Sequence, residues 1–460
     1  MIKVTIDGKI YNVEKGSLLS SLLISDGGRV DHPCGGKGIC RKCTVLVDGK
    51  EELSCQYVIE RDITVSFFEK GVIESSAGIE ATEKKREKAI LALDIGTTTL
   101  ALAVVSEDGT VSEIVTRNNP QSIYGADVIS RIEYCTKNGA AQLQRILIDE
   151  INRMISSSEA KADKMYVSGN TTMLHTFWGE DCSTLGTYPY TPVFLDGRKG
   201  DAHKLNIDGI KEIETLPCIS SFVGADIVAG VSCLDKPSEG KYNLLVDLGT
   251  NAEIALVGNG EIICTSASAG PCFEGVGISC GMTATEGAIC EYSENGYKTI
   301  GDKSPKGICA TGLIDVIAFL LKKGIIDGTG YMDKPFAVSE NVALTEGDVR
   351  QYQLSKSAIY SGIATLVKSN KITLDKIEKL YISGGFSHKI NITSAVLTGL
   401  LPEELTDKYE CINNSSLKGT ISYALGKNDL SWIKYARYED MSQSTLFSEL
   451  FIENMSFNKE

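Results

Sequence analysis

Four cysteines fall within 22 residues: Cys34-Gly-Gly-Lys-Gly-Ile-Cys40-Arg-Lys-Cys43, then Cys55, a C-x5-C-x2-C-x11-C pattern. Thiolates at this spacing meet at one centre only if the loop curls back with its amides pointing inward. Gly35, Gly36 and Gly38 permit the positive φ angles such a loop needs. The inward amides would then hydrogen-bond inorganic sulfides, while Lys37, Arg41 and Lys42 offset an anionic cluster. The plant-type [2Fe–2S] pattern is C-x4-C-x2-C…C, so this loop is one residue longer and its last cysteine comes early. A structural zinc site is the alternative, but zinc ribbons pair two short C-x2–4-C knuckles, and here a Gly-rich triplet is joined by one distant cysteine. The pattern favours a [2Fe–2S] cluster held by Cys34, Cys40, Cys43 and Cys55. The other ten of the 14 cysteines are scattered, mostly among apolar neighbours such as GVSCL and IICTS, and read as small buried side chains. A [2Fe–2S] cluster moves one electron at a time, yet no strand opens into the G-x-G-x-x-G of a flavin or nicotinamide site.

A second chemistry is written in two turns. Ile90-Leu-Ala-Leu-Asp94-Ile-Gly96-Thr97-Thr98-Thr99 and Asn243-Leu-Leu-Val-Asp247-Leu-Gly249-Thr250-Asn251 are apolar strands ending in Asp-x-Gly-Thr. Glycine lets a phosphate approach the backbone, and the amides and hydroxyls of Thr97–Thr99 or of Thr250 and Asn251 donate to it. Asp94 and Asp247 at the strand ends suit Mg²⁺ held through water, because Mg²⁺ keeps several of its waters. Glu253 is a candidate for positioning the attacking water. Ile382-Ser-Gly384-Gly385-Phe386 follows another strand, where Gly384 and Gly385 offer bare backbone to an adenosine. Of the four histidines, His32, His175, His203 and His388, none shows metal-ligand spacing, and packing is the reading for His175.

These residues need a scaffold. Residues 1–68 predict a compact sheet on one helix: strands at Lys3–Ile6 and Ile10–Val13 around an Asp7-Gly8 turn, and Leu18, Leu19, Leu22 and Leu23 at helical spacing after Ser17. Further strands at Thr44–Val47 and Ile63–Phe67 complete it. Residues 69–89 contain no aromatic residue and little apolar pattern, and read as a linker. Beyond them the chain repeats itself. Each Asp-x-Gly-Thr strand is followed by two strands around a hairpin turn (Asp108-Gly109; Asn259-Gly260). Helical patterns come next (124–156; 311–323 and 346–368), then a strand closing on glycine (Met165–Gly169; Leu380–Gly385). Two β-β-β-α-β-α lobes, 90–240 and 241–430, with a cleft between them are expected, and 431–460 is left as a C-terminal tail.

The chain of 460 residues has 46 Lys and Arg against 60 Asp and Glu, so its formal charge is 46 − 60 = −14. Residues 1–68 carry nine of each sign, which puts the whole excess beyond residue 68. Such acidity argues against nucleic acid or an anionic membrane as partner. No apolar run approaches the ~18 residues of a membrane span, and a cytoplasmic protein is expected.

The ordered triple of Asp94–Thr99, Asp247–Glu253 and Ser383–Phe386 resembles the phosphate and adenosine motifs of the acetate and sugar kinase, heat-shock chaperone and actin (ASKHA) superfamily. Gly307–Asp315 resembles its connecting helix. The implied fold is α/β: an N-terminal β-grasp, ferredoxin-like domain joined to a duplicated, two-lobed, actin-like (ribonuclease H-like) ATPase. The fusion of the cysteine loop to this ATPase resembles the reductive activators of corrinoid proteins. Supporting stretches are Val167–His175, Ser221–Asp226, and Ser266–Pro271 with Phe273–Gly275. That resemblance implies ATP and Mg²⁺ as cofactors beside the cluster, a methyl-carrying corrinoid protein as partner and a low-potential electron donor upstream. A homodimer is compatible with it. The task it implies is reduction of Co(II) corrinoid back to Co(I). Two other readings stay open: ATP-driven electron delivery to an iron–sulfur dehydratase, and a small-molecule kinase whose cysteine domain senses redox state.

Overall fold

The computed structural model describes residues 1–6, 8–25, 36, 38, 43–67, 89–125, 127–158 and 160–457. The linker up to residue 88, and Cys34, Cys40 and His32, lie outside the described residues.

The N-terminal unit contains β1 (Ile2–Ile6), β2 (Lys9–Val13), α1 (Leu19–Ser25), β3 (Thr44–Val47), β4 (Lys50–Leu53) and β5 (Ile63–Ser66). Among the described residues its sheet runs β2-β1-β5-β3-β4, with β1 and β5 parallel and the other pairs antiparallel. Alternation decides which face is dry: Val4, Ile6, Val45 and Val65 point inward onto Leu19 and Leu23, one helical turn apart on α1. Cys43 and Cys55 belong to the same core.

Two larger sheets follow. The first is built from β6 (Ala89–Ile95), β7 (Thr99–Val105), β8 (Val111–Asn118), β9 (Ala162–Gly169), β10 (Lys199–Asp201) and β11 (Glu212–Thr215). Its order is β10-β11-β9-β6-β7-β8. The second uses β12 (Tyr242–Leu248), β13 (Asn251–Gly258) and β14 (Glu261–Ser268). After the short strands β15 (Ala288–Ser293), β16 (Gly296–Thr299), β17 (Gly307–Ile308), β18 (Phe336–Ala337) and β19 (Ala343–Leu344), it is completed by β20 (Ile377–Ser383), β21 (Tyr409–Cys411) and β22 (Ala436–Tyr438). Its order is β21-β20-β12-β13-β14-β22. In each sheet an antiparallel three-strand meander carries a parallel strand on the outer side of its first member, β9 on β6 and β20 on β12.

The helices are α2 (Val128–Asn138), α3 (Ala141–Ser158), α4 (Thr171–Trp178), α5 (Ala225–Ser232), α6 (Ala310–Lys322), α7 (Glu346–Ser369), α8 (Ile392–Leu397), α9 (Ser415–Ala424) and α10 (Thr445–Glu453). The central strands are apolar on both faces because both faces are covered. In β6, Leu91, Leu93 and Ile95 pack onto Leu147, Ile151 and Met154 of α3. Ala92, with Ala101 and Ala103 of β7, meets Leu417 and Ile421 of α9. In the second sheet, Leu245, Ala255 and Cys264 receive Ile227 and Val231 of α5. So a helix from late in the chain seals the first sheet and a helix from before residue 240 seals the second. The two helices touch: a Cβ on Gly419 would come within 1.9 Å of the Ala229 carbonyl oxygen, so only glycine permits this crossing.

The segment 431–460, read from the sequence as a tail, differs in the structure. β22 pairs in parallel with β14, and α10 packs on α7, where Ser357 donates to the Phe451 carbonyl. Its apolar residues Phe447, Phe451 and Phe457 find a core, which the tail reading overlooked because no long periodic run announces them. Among the described residues no helix is long and apolar enough to cross a membrane.

Candidate functional site

Both Asp-x-Gly-Thr turns open into one cavity of about 320 Å³ between the two sheets. At the β6–β7 turn, the Gly96 amide donates to the Thr99 carbonyl at 3.0 Å, and a Cβ on Gly96 would stand 2.6 Å from that oxygen. Arg131 of α2, fully buried, supports the turn from behind by donating to the Thr97 carbonyl at 2.6 Å. Asn170, the N-cap of α4, donates to the Thr97 hydroxyl at 2.9 Å. At the end of β20, Gly384 has φ +104° and a Cβ there would lie 2.2 Å from the Leu248 carbonyl, whereas Gly385 faces open space. Asp94, Gly96, Thr97, Thr98, Thr99, Asp247, Gly249, Thr250, Asn251, Glu253, Gly384 and Gly385 all line this cavity.

Two carboxylates that sequence reasoning passed over line it as well, Asp226 and Glu274. Each lay inside a stretch noted for its resemblance, so the signal was present, but nothing in the local spacing distinguished a cleft carboxylate from a solvated one. Asp94 is held by partners from the far end of the chain: Ser416 donates to Oδ1 at 2.7 Å and Asn414, the N-cap of α9, to Oδ2 at 3.0 Å.

Crowding acidic groups in a deep cleft has an electrostatic cost. Burial lifts Asp94 to about 6, the charge of Asp247 adding to it while Ser416 and Asn414 pull the other way. Burial, together with Asp247 and Asp94, lifts Asp226 to about 7. Glu253 is pushed well above the usual range by burial and by Asp226 and Asp247, and Asp247 is raised by burial against its bond from Ser383. Such a cluster is suited to a divalent cation, which removes the repulsion. Among the described residues no three His, Cys, Asp or Glu side chains converge as direct ligands.

A pH dependence follows. The unfolded carboxylates ionise near 4, so between about pH 4 and 7 the native state holds more protons than the unfolded state, and stability falls as pH rises through that window. Asp226→Asn removes one of its contributors. The metal-free variant is expected to gain about 1 kcal/mol at pH 8, discounted from the full shift because cavity water reaches the carboxylate. Its thermal unfolding should then vary less between pH 5 and 8 than that of the parent; an unaltered slope would show that Asp226 is not strained by its neighbours.

His175, expected to pack, does so. Its Nε2 accepts from the Val193 amide at 3.0 Å, its Nδ1 lies 2.7 Å from the Thr171 carbonyl and it stacks on Phe194, a neutral and satisfied ring.

In the N-terminal unit, the described half of the cysteine set is brought together. Cys43 and Cys55 are buried neighbours, and burial followed by the adjacent Cys55 pushes the Cys43 thiol up to about 11. Gln56 donates to the Gly36 carbonyl at 2.7 Å and approaches the Cys55 sulfur at 3.8 Å. Gly36 (φ +80°) and Gly38 (φ +74°) both take the left-handed conformation. Gly36 is thereby held beside Cys55. Two adjacent buried thiols fit half of a four-thiolate metal centre.

The paired sheets, the two phosphate-type turns and the Gly-Gly strand end define an ASKHA-type nucleotide-binding protein. Residues 241–460 match the family described as "C-terminal domain of RACo the ASKHA domain", and residues 90–236 match "RACo middle region". The chain is 30% identical over 397 residues to "Corrinoid activation enzyme RamQ" of Eubacterium limosum, covering 76% of this chain and 66% of the relative. It is 26% identical over 355 residues to the "[Co(II) methylated amine-specific corrinoid protein] reductase" of Methanosarcina barkeri, covering 68% and 65%. A solved structure titled "Reductive activator for corrinoid,iron-sulfur protein" superposes with TM-score 0.71 at 24% identity, covering 99% of this chain and 98% of the other. The chain belongs to the RACo family. It spans about two thirds of the length of the curated relatives it matches.

Proposed function

We propose that this protein is an ATP-dependent reductive activator that passes one electron from an N-terminal [2Fe–2S] cluster to the Co(II) corrinoid of a methyl-carrier protein, restoring Co(I). The observation that carries the proposal is the coexistence, in one chain, of a two-turn phosphate cleft and a pair of adjacent buried cysteines with Gly36 fastened beside them. Residues 1–68 are the ferredoxin-like domain, 69–89 its tether, and 90–240 and 241–430 the halves of a duplicated ATPase; the like order of the two sheets supports that descent.

Cys34, Cys40, Cys43 and Cys55 would hold the cluster, which supplies single-electron transfer when bound. Gly96, Thr97, Thr98 and Thr99 from one turn and Gly249, Thr250 and Asn251 from the other grip the phosphates, and Gly384 and Gly385 accept the adenosine. Asp94 and Asp247 would hold Mg²⁺, which neutralises phosphate charge, and Glu253 orients water. Co(I) is a strong reductant, so a potential gap of ~100 mV opposes the electron by roughly 2.3 kcal/mol. ATP overcomes this only by binding one docked state of activator and partner more tightly than another. Lobes that share the phosphates between two turns provide such a difference, because their separation changes what the phosphates touch.

The test is anaerobic. Reduced protein, Mg-ATP and a Co(II) corrinoid methyl carrier are mixed and the Co(I) absorbance is followed. ATP should stimulate its appearance; equal rates with and without ATP would refute the coupling.

A further inference from the structure

Glu274 stands at the end of a 3-10 turn, Pro271–Glu274, between the two phosphate-type turns and bonded to both. The Thr98 hydroxyl, from the first lobe, donates to Oε2 at 3.2 Å, and the Thr250 hydroxyl, from the second, donates to Oε1. These are two of the hydroxyls assigned above to the nucleotide's phosphates. The turn that carries Glu274 is firmly seated. Phe273 is buried against Tyr352 and Phe386, with ring centroids 5.8 and 5.3 Å away, and a Cβ on Gly275 would strike the Met282 amide at 2.5 Å. The backbone is thus anchored, and only the side chain is free to turn away.

The surroundings favour an anion at this point. Arg131 is completely buried behind the first turn, and its hydrogen bonds go to the Gly125 and Thr97 carbonyls, to Gln121 and to the Met173 sulfur, none of them anionic. Asp127 and Glu274 are the acidic groups whose charge reaches it. A buried guanidinium with no directly paired carboxylate among the described residues leaves a positive field at the turn it supports, and Glu274 is the group that reaches into that field from the opposite lobe.

From this geometry we infer that Glu274 is an internal stand-in for nucleotide phosphate: it occupies one threonine hydroxyl from each lobe when the cleft is empty, and the phosphates of ATP must displace it to bind. The inference rests on the ATP reading of the cleft. It gives the empty protein a tie between its lobes that resembles the one the nucleotide makes, so the turns wait at nearly their working separation. It also makes binding a competition between two anions for the same donors.

The competition is measurable on the full chain by calorimetric titration in EDTA, where no divalent cation bridges carboxylate and phosphate. The probes are the non-hydrolysable ATP analogue adenylyl imidodiphosphate and adenosine, which lacks the phosphates. Glu274→Gln keeps the shape and loses the charge. It is expected to bind the analogue about ten-fold more tightly than the parent, the scale of one charge-assisted hydrogen bond no longer competing, with adenosine affinity unchanged. Glu274→Ala should move the same way and guards against a glutamine that bonds the threonines equally well. Unchanged or weaker analogue binding in both variants would make Glu274 a plain structural support and overturn the inference. A parent chain that binds neither probe would overturn the ATP reading itself, and the inference with it.

Discussion

Cys55→Ser is expected to leave the purified chain without the visible colour of an iron–sulfur protein and to reduce ATP-driven Co(I) formation to background, while nucleotide binding stays within about two-fold of the parent. The reason is geometric. Cys55 is buried beside Cys43, and Gly36 is fastened to the residue next to it through the bond from Gln56 to the Gly36 carbonyl. Serine fits the space, but an alkoxide is a poor ligand for iron, and a [2Fe–2S] cluster uses four thiolates. The variant also removes a neighbour that burdens the Cys43 thiol, so the apo unit should not be grossly unstable. Metal analysis separates the outcomes: two irons and two acid-labile sulfides in the parent support the assignment, whereas a parent holding one zinc would replace electron transfer with a structural role.

A second large effect is expected from Asp247→Asn. Asp247 lies one residue before the end of β12, its carboxylate faces Asp94 across the cavity, and Ser383 is its neighbour on β20. Asparagine has nearly the same volume, so the fold should be retained and, with one like charge gone, slightly stabilised. What disappears is half of the negative charge proposed to hold hydrated Mg²⁺ against the phosphates. Mg²⁺-dependent ATP hydrolysis should fall by roughly 100-fold, about 2.7 kcal/mol of lost transition-state stabilisation. Binding of ADP in EDTA should change by no more than a few-fold. Hydrolysis at the parental rate would remove Asp247 from the catalytic set.

Much of the scaffold was legible because its elements announce themselves locally. The alternation in β1 and β2, and the strands read at Met165–Gly169 and Leu380–Gly385 and found at Ala162–Gly169 and Ile377–Ser383, need only neighbouring residues to specify them. The 311–323 and 346–368 helical patterns differ from α6 and α7 by one residue at most. The Asp-x-Gly-Thr turns were legible because glycine and aspartate have few other reasons to recur together at strand ends. What escaped were side chains whose role comes from a distant partner. Asn414 lies 320 residues from Asp94 in the sequence, and its bond exists only because α9 crosses to the first sheet. Glu274 sits in a stretch without helix or strand period, and its importance arises from two threonines on opposite lobes. Asp226 opens α5 in the ordinary place for an acidic residue near a helix N-terminus, which disguised it.

The exchange of α5 and α9 bears on how such a protein can be taken apart. The regions matched as middle and C-terminal portions meet between residues 236 and 241, yet a chain severed there would not yield two self-sufficient modules. One fragment would lack the cover for Ala92, Ala101 and Ala103, and the other the cover for Leu245, Ala255 and Cys264. Each would display a greasy flank shaped for the other, so the fragments should aggregate when made singly and reconstitute when made together. The seam between the matched regions is therefore not a boundary in folding.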